Sequence, residues 1–411
     1  MAGTLLAMTA LREAFLVDGV RTPVGKFGGA LSSVRPDDLL AGVIKALVER
    51  SGLDGDVFDE VLAGCTNQAG EDNRNIVRMS VLLAGLSVTV PASTVNRLCA
   101  SGLDAVVQAA RAIMVGEGDV LIAGGVESMT RAPWVMAKPE ALPVKGAPEL
   151  VDSSFGWRFV NPKLAAIHPP LAMGETAENL VEKYDITREE QDAFALRSHQ
   201  RAIASWEAGE FDAETVPVEL VGRRGAITVF DKDEGPRADT SLESLAKLRP
   251  VFRQGGTVTA GNSSSLNDGA AAVLLASADA VSRYHLEPVA RIVASGVVGV
   301  DPSFMGTGPV GSTEQALRRA GWTAEDIDTV ELNEAFAAQS LAVLRELPLD
   351  PEIVNPQGGA IAIGHPLGST GARLTATLLH RLRRDTSLRR GLVTLCIGVG
   401  QGQSLLVESV R

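Results

Sequence analysis

Strand-like and helix-like runs alternate along this chain, and the alternation occurs twice. The first part has strand-like runs EAFLVDGV, FDEVLAG and DVLIAGG, separated by helix-like PDDLLAGVIKALVERSG and GLDAVVQAARAIM. The last part repeats the order with PVARIVASGVVGV, STEQALRRAG, DIDTVELN, GSTGARLTATLLHRL and RGLVTLCIG. This pattern predicts an α/β fold of two duplicated halves, each with helices packed on a largely parallel sheet.

The segment between the two halves lacks their regular alternation of strands and helices, because Pro and Gly interrupt the periodic pattern there. GETAENLVEKYDI and TREEQDAFALRSHQRAIASW predict helices, and Thr187 with Glu190 forms a capping-box pattern at the start of the second. Long insertions with structure of their own often cover active sites. We therefore predict a first half of residues 1–130 plus 262–288, an inserted lid domain of 131–261 and a second half of 289–411.

Composition narrows the classes of protein that fit this chain. Its 411 residues, 45% of them apolar, are enough for more than one domain and a large core. A net charge of −12 without a basic domain argues against a nucleic-acid partner. Three widely spaced cysteines without a C-x-x-C pair predict neither a disulfide framework nor a metal site, and reduced thiols fit the cytoplasm.

Neither an export leader nor a membrane span is predicted. MAGTLLAMTALREAF lacks a charged segment before its apolar part, and its single Arg is too few for a transit peptide. Elsewhere Gly, Pro or charge interrupts each apolar run before about 18 residues.

Two residues at the starts of predicted helices are candidates for nucleophilic chemistry. Cys99 precedes GLDAVVQAARAIM, where the positive end of a helix favours a thiolate. His365 lies among glycines before the corresponding helix of the second half, so the duplicated architecture can place imidazole and thiol face to face. Either residue alone is more often a structural core residue, and that alternative stays open.

Two further segments carry polar or reactive groups at strand ends. Cys396 ends a predicted strand before a glycine-rich turn, in which Gly398 offers an unobstructed N–H for an oxyanion. Asn333 and Glu334 end another strand, where a ligand-binding role and an ordinary helix N-cap are equally reasonable. Core packing is the alternative for Cys396, and Cys65 is interpreted as structural.

These segments together resemble the thiolase family. The motifs VNRLCASG, NEAFAAQ, NPQGGAIAIGHPLGSTGAR and CIGVGQG occur in the family's order. Similarity in DGVRTPVGKFGG, GGVESMTRAP, MGETAEN and TVTAGNSSSLNDGAA extends the resemblance over nearly the whole chain. The resemblance implies two βαβαβ-type halves packed in five layers with an inserted lid, and a homo-oligomer of two or four chains.

The resemblance also implies roles for the site residues in a two-step acyl transfer. His365 would deprotonate Cys99, which attacks a 3-ketoacyl-CoA, and Cys396 would protonate the departing acetyl-CoA carbanion. One oxyanion site would use His365 and a water on Asn333, the other the N–H groups of Cys99 and Gly398. Coenzyme A or acetyl-CoA would be a co-substrate rather than a tightly bound cofactor. Its expected contacts are Met173, Ala260, Ser264, Leu266 and Phe336, with Arg237 near the adenine.

The segments GCTNQAGEDNRNIVRM, GWRFVNP and CIGVGQG resemble those of thiolases that act on 3-oxoadipyl-CoA in aromatic-compound breakdown. Ala172 stands before Met173, where short-chain biosynthetic thiolases typically carry His. Arg74, Arg78 and Arg158 are candidates for holding the distal carboxylate. A general acetyl-CoA acetyltransferase or 3-ketoacyl-CoA thiolase of fatty-acid or acetoacetyl-CoA metabolism is the alternative. More remote are a non-catalytic acyl-CoA or lipid-binding relative and a cysteine hydrolase.

Overall fold

The computed structural model describes residues 11–139 and 147–411. The first part of the chain forms five strands and three helices: β1 (Ala14–Arg21), β2 (Gly25–Lys26), α1 (Pro36–Ser51), β3 (Glu60–Gly64), α2 (Ile76–Leu83), β4 (Ala92–Val95), α3 (Ser101–Val115) and β5 (Val120–Ser128). Each run that the sequence assigned to a strand or helix in this part is found as such. Helix α1 ends at Gly52, whose left-handed backbone, with φ of 67°, stops the helix.

The middle part contains short hairpins and helices: β6 (Trp134–Val135), β7 (Val151–Asp152), α4 (Pro162–Ala165), α5 (Met173–Tyr184), α6 (Arg188–Glu207), β8 (Val218–Val221), β9 (Ile227–Phe230) and α7 (Leu242–Ala246). The capping box predicted for α6 is present, since Thr187 accepts from the N–H of Glu190 and the Glu190 carboxylate accepts from the N–H of Thr187. The proposed domain boundaries remain a prediction.

The last part returns to the alternating pattern: β10 (Asn267–Ser277), α8 (Ala278–Tyr284), β11 (Ala290–Gly299), α9 (Gly308–Ala320), β12 (Thr329–Leu332), α10 (Ala337–Glu346), α11 (Ala360–Ile363), α12 (Leu367–Arg384), β13 (Arg390–Ile397) and β14 (Gln401–Ser409). Cys396 lies one residue before the end of β13, where the sequence placed it.

Strand order confirms the duplication. The order β1-β10-β5-β3 in one half corresponds to β11-β14-β13-β12 in the other, and β1 pairs briefly with β11 where the halves meet. In each half the first three strands are antiparallel, and β5 with β3 or β13 with β12 is a parallel pair; in the first half β3 also pairs in parallel with β4. The expected largely parallel sheet is therefore wrong. A three-residue turn joins β13 to β14, and such a short connection permits only antiparallel pairing.

The two sheet halves sandwich a central layer of helices, which confirms the five-layer arrangement. On β5, Leu121 and Ala123 face α3 and α12, whereas Val120 and Ile122 face α1 and α2. On β14 the same alternation directs Leu405 and Val407 to the central layer and Leu406 to α9 and α10. Strand side chains alternate between faces, so strands buried on both faces need the continuous apolar runs seen in this sequence.

One window of the described chain, Leu98–Val115, is long and apolar enough to cross a membrane, with a mean hydropathy of 1.4. Gly102, Asp104 and Arg111 lie within this window, so it is interrupted by glycine and charge as expected, although its mean hydropathy is high. It comprises the turn before α3 and α3 itself, and 61% of it is buried. A helix in the central layer of a protein meets the same composition criterion. The expected absence of an export leader concerns mainly residues 1–10, which lie outside the described residues.

Candidate active site

Cys99 lies in a tight turn between β4 and α3. Leu98, directly before it, has a left-handed backbone with φ of 46°, which is uncommon for a residue other than glycine. Asn96 Oδ1 accepts from the N–H of Leu98 at 3.0 Å. The Ser101 hydroxyl donates to the carbonyl of Leu98 at 2.7 Å and accepts the N–H of Arg97 at 2.8 Å. The polar residues of VNRLCASG therefore fix the backbone that carries Cys99.

His365 precedes α12 and is buried. Its Nδ1 lies 2.7 Å from the hydroxyl of Thr370, which donates its own hydrogen to the carbonyl of Pro366 at 2.8 Å. Thr370 therefore accepts from Nδ1–H, and Nε2 keeps its lone pair. Asn333 Nδ2 lies 3.3 Å from Nε2. Burial lowers the pKa of His365 to about 3, so the imidazole is neutral at pH 7.

Glycines bring the two helix starts together. A Cβ on Gly102 would lie 2.8 Å from the carbonyl oxygen of Gly368, and one on Gly371 would overlap the backbone of Leu103. Gly102 and Gly368 each follow their candidate catalytic residue, Cys99 or His365, by three positions. The starts of α3 and α12 are thus in backbone contact, as the pseudo-symmetric arrangement predicted.

Cys396 is buried in an apolar cluster that also contains Phe336 and Met173. A Cβ on Gly398 would lie 3.4 Å from the sulphur of Met173 and 3.5 Å from Leu98 Cδ1. The N–H of Gly398 hydrogen-bonds to the sulphur of Cys99, and this contact acts to lower the pKa of that thiol. The turn after β13 therefore faces the turn before α3.

Both thiols are protonated at neutral pH. Burial raises the pKa of Cys99 and outweighs the lowering by the N–H groups of Gly398 and Cys99 itself. Burial raises the pKa of Cys396 far above the ordinary value, and the neighbouring Cys99 adds to this. The expectation that the helix start favours a Cys99 thiolate at rest is wrong, since desolvation of the charge dominates. Cys99 therefore needs a base to become nucleophilic.

Asn333 and Glu334 have different surroundings. Asn333 is buried, and its Oδ1 has no hydrogen-bond partner within the described part of the chain. Glu334 accepts from Ser198 at 2.6 Å and from Asn355 at 2.8 Å, which ties α6 to the second half. Neither residue is the N-cap of α10, which is Phe336. Asn333 thus has an acceptor available for a water or ligand, whereas Glu334 is engaged in packing.

The residues expected to contact coenzyme A occupy two regions. Met173 and Phe336 line the apolar cluster around Cys396. The segment of Ala260, Ser264 and Leu266 runs beside them, since the N–H of Ser264 donates to the carbonyl of Ala335 at 3.0 Å. Arg237 is exposed on a loop of the middle part, and its N–H donates to Nδ1 of His199 at 3.3 Å.

Glu127 is a site residue that sequence reasoning missed. This buried carboxylate at the end of β5 accepts from Thr66, from Asn67 and from the N–H of Gly368 near the start of α12. Burial raises its pKa to about 7. Its position in GGVES, as a charged residue closing an apolar strand, was the available signal. Glu127 links the 66–67 loop to the helix that carries His365.

Cys65, Asp72 and Glu127 approach one another closely, and all three are buried. The Asp72 carboxylate accepts from the N–H groups of Gln68 and Gly70 at 3.1 and 2.9 Å, so it caps the loop. Burial raises the pKa of Cys65 well above the ordinary value. A protonated thiol beside carboxylates that already accept N–H donors fits the structural interpretation of Cys65.

The three arginines proposed for a distal carboxylate also differ. Arg74 is exposed. Arg78 donates to the carbonyls of Val90 and Val88 at 2.6 and 2.8 Å, and so closes the loop after α2. Arg158 is half-buried beside the 66–67 loop.

A buried thiol, a half-buried thiol and a neutral imidazole lie at the contact between duplicated α/β halves, an arrangement suited to an α/β enzyme with thiol chemistry. The chain belongs to the thiolase family, since residues 14–279 match the family model for the thiolase N-terminal domain and residues 286–409 that for the C-terminal domain.

Individual proteins agree with this assignment. A beta-ketoadipyl-CoA thiolase of Pseudomonas aeruginosa is 54% identical over 402 residues, covering 97% of this chain and 100% of that protein. The crystal structure of the Bacillus anthracis acetyl-CoA acetyltransferase matches with a TM-score of 0.91 and 43% identity, covering 98% and 100% of the two chains. The crystal structure of human mitochondrial 3-ketoacyl-CoA thiolase in complex with CoA matches with a TM-score of 0.90 and 41% identity, covering 98% of this chain and 100% of that chain.

Proposed function

We propose that the protein cleaves 3-oxoadipyl-CoA with coenzyme A, giving succinyl-CoA and acetyl-CoA through an acyl-cysteine. The observation that carries the proposal is the contact between the turn of Cys99 and the turn of Cys396 and Gly398. The start of α12, which carries His365, contacts the start of α3 at the same place. The name of the Pseudomonas aeruginosa relative supports the choice of substrate. The reaction belongs to aromatic-compound breakdown.

The first half-reaction moves two protons and breaks one carbon–carbon bond. Nε2 of His365 takes the proton of Cys99 as the sulphur attacks the 3-keto carbon, because the ring proton is on Nδ1 and Nε2 has only the long contact with Asn333 Nδ2 at 3.3 Å to give up. The C2–C3 bond then breaks, its electron pair goes to acetyl-CoA as an enolate, and the Cys396 thiol protonates that carbon. Cys99 is left carrying a succinyl group.

The second half-reaction returns the site to its starting state. The thiol of coenzyme A gives its proton to the Cys396 thiolate and attacks the succinyl thioester on Cys99. The N–H groups of Cys99 and Gly398 hold the thioester oxygen as negative charge develops on it. For the 3-keto oxygen of the first step, the corresponding donors are His365, once protonated, and a water held by Asn333 Oδ1. Cys99 leaves as a thiolate and recovers its proton from His365.

Coenzyme A enters this scheme as a co-substrate that is released in each cycle. We propose Met173, Phe336 and the segment of Ala260, Ser264 and Leu266 as its contacts near the reacting thiol, with exposed Arg237 at the adenine end. A human relative crystallised with CoA supports such binding in this fold.

The test compares kcat/KM for thiolysis of 3-oxoadipyl-CoA, acetoacetyl-CoA and a longer unbranched 3-ketoacyl-CoA. We expect the six-carbon dicarboxylic substrate to be preferred by at least about tenfold. A general acetyl-CoA acetyltransferase is the second candidate, because the Bacillus anthracis enzyme has the same fold. A higher kcat/KM for acetoacetyl-CoA, or for the longer chain, would contradict 3-oxoadipyl-CoA as the substrate.

We also propose that the protein is a cytoplasmic homo-oligomer of two or four chains. Apolar side chains exposed on the middle part support association, among them Trp134, Phe155 and Ile167, which are 69%, 66% and 72% exposed. Light scattering on the purified protein measures the number of chains, and a monomer at micromolar concentration would contradict this.

A further inference from the structure

Within residues 11–139 and 147–411, no carboxylate pairs with the guanidinium of Arg158. Its Nη1 lies 3.3 Å from the carbonyl of Ser153, and its Nη2 lies 3.4 Å from the carbonyl and 3.5 Å from Oδ1 of Asn67. These distances are at the long end for N–H···O bonds. Among the residues described, none has a carboxylate within salt-bridge distance of this half-buried guanidinium.

Two other arginines of the first and middle parts, Arg97 and Arg131, are paired with carboxylates. Arg97 lies 3.0 Å from Asp104, and Arg131 binds Glu71 with two nitrogens, one of them at 2.7 Å. A planar guanidinium pairs best with a carboxylate through two parallel N–H···O bonds. Arg158 therefore has both the charge and the donors for one further carboxylate.

Two hydrogen-bonded links join Arg158 to the candidate active site. Beside Asn67, the carbonyl of Thr66 accepts from Asn96 at 3.0 Å, and Asn96 holds the turn that carries Cys99. On the other side, the indole N–H of Trp157 donates to the carbonyl of Leu171 at 2.9 Å, two residues before Met173. The Arg158 segment is thus anchored to both walls of the site.

Open space lies in front of this side chain. Arg158 lines a cavity of about 370 Å³ whose other walls include Met136, Val151 and Trp157. Glu149 also lines this cavity, but it does not reach salt-bridge distance of Arg158. The lining mixes polar and apolar surface, and Arg158 is the one cationic side chain among the described lining residues, so the cavity suits a short methylene chain that ends in a carboxylate.

We propose that Arg158 determines substrate specificity by binding the distal carboxylate of 3-oxoadipyl-CoA. The inference rests on the proposed function, which supplies that carboxylate. Binding would replace long contacts to neutral oxygens with short charge-assisted ones. With a substrate that lacks the carboxylate, the guanidinium would keep only its long contacts to the neutral oxygens of Ser153 and Asn67.

The experiment uses 3-oxoadipyl-CoA and its distal methyl ester, which has the same chain without the charge. For the wild type we expect kcat/KM for the acid to exceed that for the ester by on the order of 10- to 100-fold. Arg158→Gln should bring that ratio close to one, mainly by raising KM for the acid. Arg158→Lys should restore part of the ratio, because it keeps the charge without the planar fork.

Lys163→Gln is the matched control, since it removes one exposed positive charge from the same segment and should keep the wild-type ratio. If the wild type does not cleave 3-oxoadipyl-CoA, the proposed function fails. If the wild type cleaves the acid selectively and Arg158→Gln keeps the same ratio of kcat/KM, or lowers kcat/KM equally for the acid and the ester, only the role of Arg158 is overturned. Should the Gln variant not fold, an Arg158→Lys variant with an unchanged ratio and KM contradicts the proposal equally.

Discussion

At the scale of single residues, burial decides the protonation of the reactive groups. Cys99 and Cys396 are both thiols at rest, because desolvation raises their pKa values, and the same effect keeps His365 neutral. A neutral thiol beside a neutral base can react without first forming a buried ion pair. The two cysteines differ in that the N–H of Gly398 also acts on the sulphur of Cys99, whereas Cys396 has only its own N–H and lies among apolar side chains.

Substitution should separate the roles of the two thiols. In Cys99→Ser we expect no acyl-enzyme. A serine hydroxyl is much less nucleophilic than a cysteine thiol, and the neutral His365 is too weak a base to make up the difference. In Cys396→Ala we expect slow acylation but no exchange of the α-protons of acetyl-CoA. Intact-mass spectrometry measures the acyl group, and deuterium incorporation from heavy water measures the exchange. Unimpaired exchange in Cys396→Ala would contradict its acid–base role.

His199 on α6 makes stability depend on pH. Burial, followed by the charge of Arg237, lowers its pKa from 6.5 to about 4. As pH falls below 6.5, the unfolded chain binds this proton before the folded chain does, so the folded state loses stability down to about pH 4. We expect the wild type to lose about 3 kcal/mol relative to His199→Gln between pH 7 and 4. Urea unfolding of both proteins at each pH measures this, and parallel stability curves would contradict it.

At the scale of elements, the crossing of α3 and α12 depends on residues without side chains. The two helices touch through their backbones at Gly102, Gly368 and Gly371. A larger residue would separate the helix starts and with them Cys99 and His365. The glycines of SGLDAV and GSTGAR thus allow close helix packing, although helix propensity alone disfavours glycine in a helix.

Two glycine-to-alanine changes should have opposite effects. Gly371→Ala would drive a methyl group into Leu103, so we expect a loss of about 1–3 kcal/mol of stability and a lower kcat. Gly42→Ala in α1 meets nothing within 4 Å, so we expect a gain of about 0.5–1 kcal/mol with unchanged kcat. Urea unfolding and steady-state kinetics measure both. A stabilising Gly371→Ala would refute the close crossing.

At the scale of the whole molecule, one core and several polar ties join the parts of the chain. The central cluster includes Leu103 of the first half and Leu395 of the second. Gln403 of β14 donates to Asp104 of α3 at 2.9 Å. Buried Arg21 of β1 pairs with Glu214 of the middle part at 2.6 Å. No half can unfold without exposing the apolar surface of the other.

We therefore expect a single cooperative unfolding transition in calorimetry. Leu103→Ala and Leu395→Ala each remove a buried side chain of the central cluster, one from each half, and each should cost about 2–5 kcal/mol of stability. Both should shift the same transition to lower temperature. Two resolved transitions, each sensitive to only one of the substitutions, would show that the halves are energetically separate.

Much of this architecture was predictable because its signals are local. Apolar periodicity identified the repeated strands and helices, and the capping box located the start of α6. Strand direction was predicted incorrectly, because pairing is decided by connections and partners distant in sequence. The motif around Cys99 marked a special turn, but the left-handed Leu98 and the side chains that hold it are visible only in three dimensions.

The sequence by itself determined the duplicated α/β organisation, the family and the identities of the candidate catalytic residues, since periodicity and short motifs carry that information. Only the tertiary structure decided the protonation of Cys99 and His365, the backbone contact of their helices, the hydrogen bonds of Glu127 and the lack of a carboxylate beside Arg158 among the described residues. Desolvation and pairing depend on which distant segments surround a group. The same residue can therefore be a thiolate or a thiol, or a paired or an available cation, in two different folds.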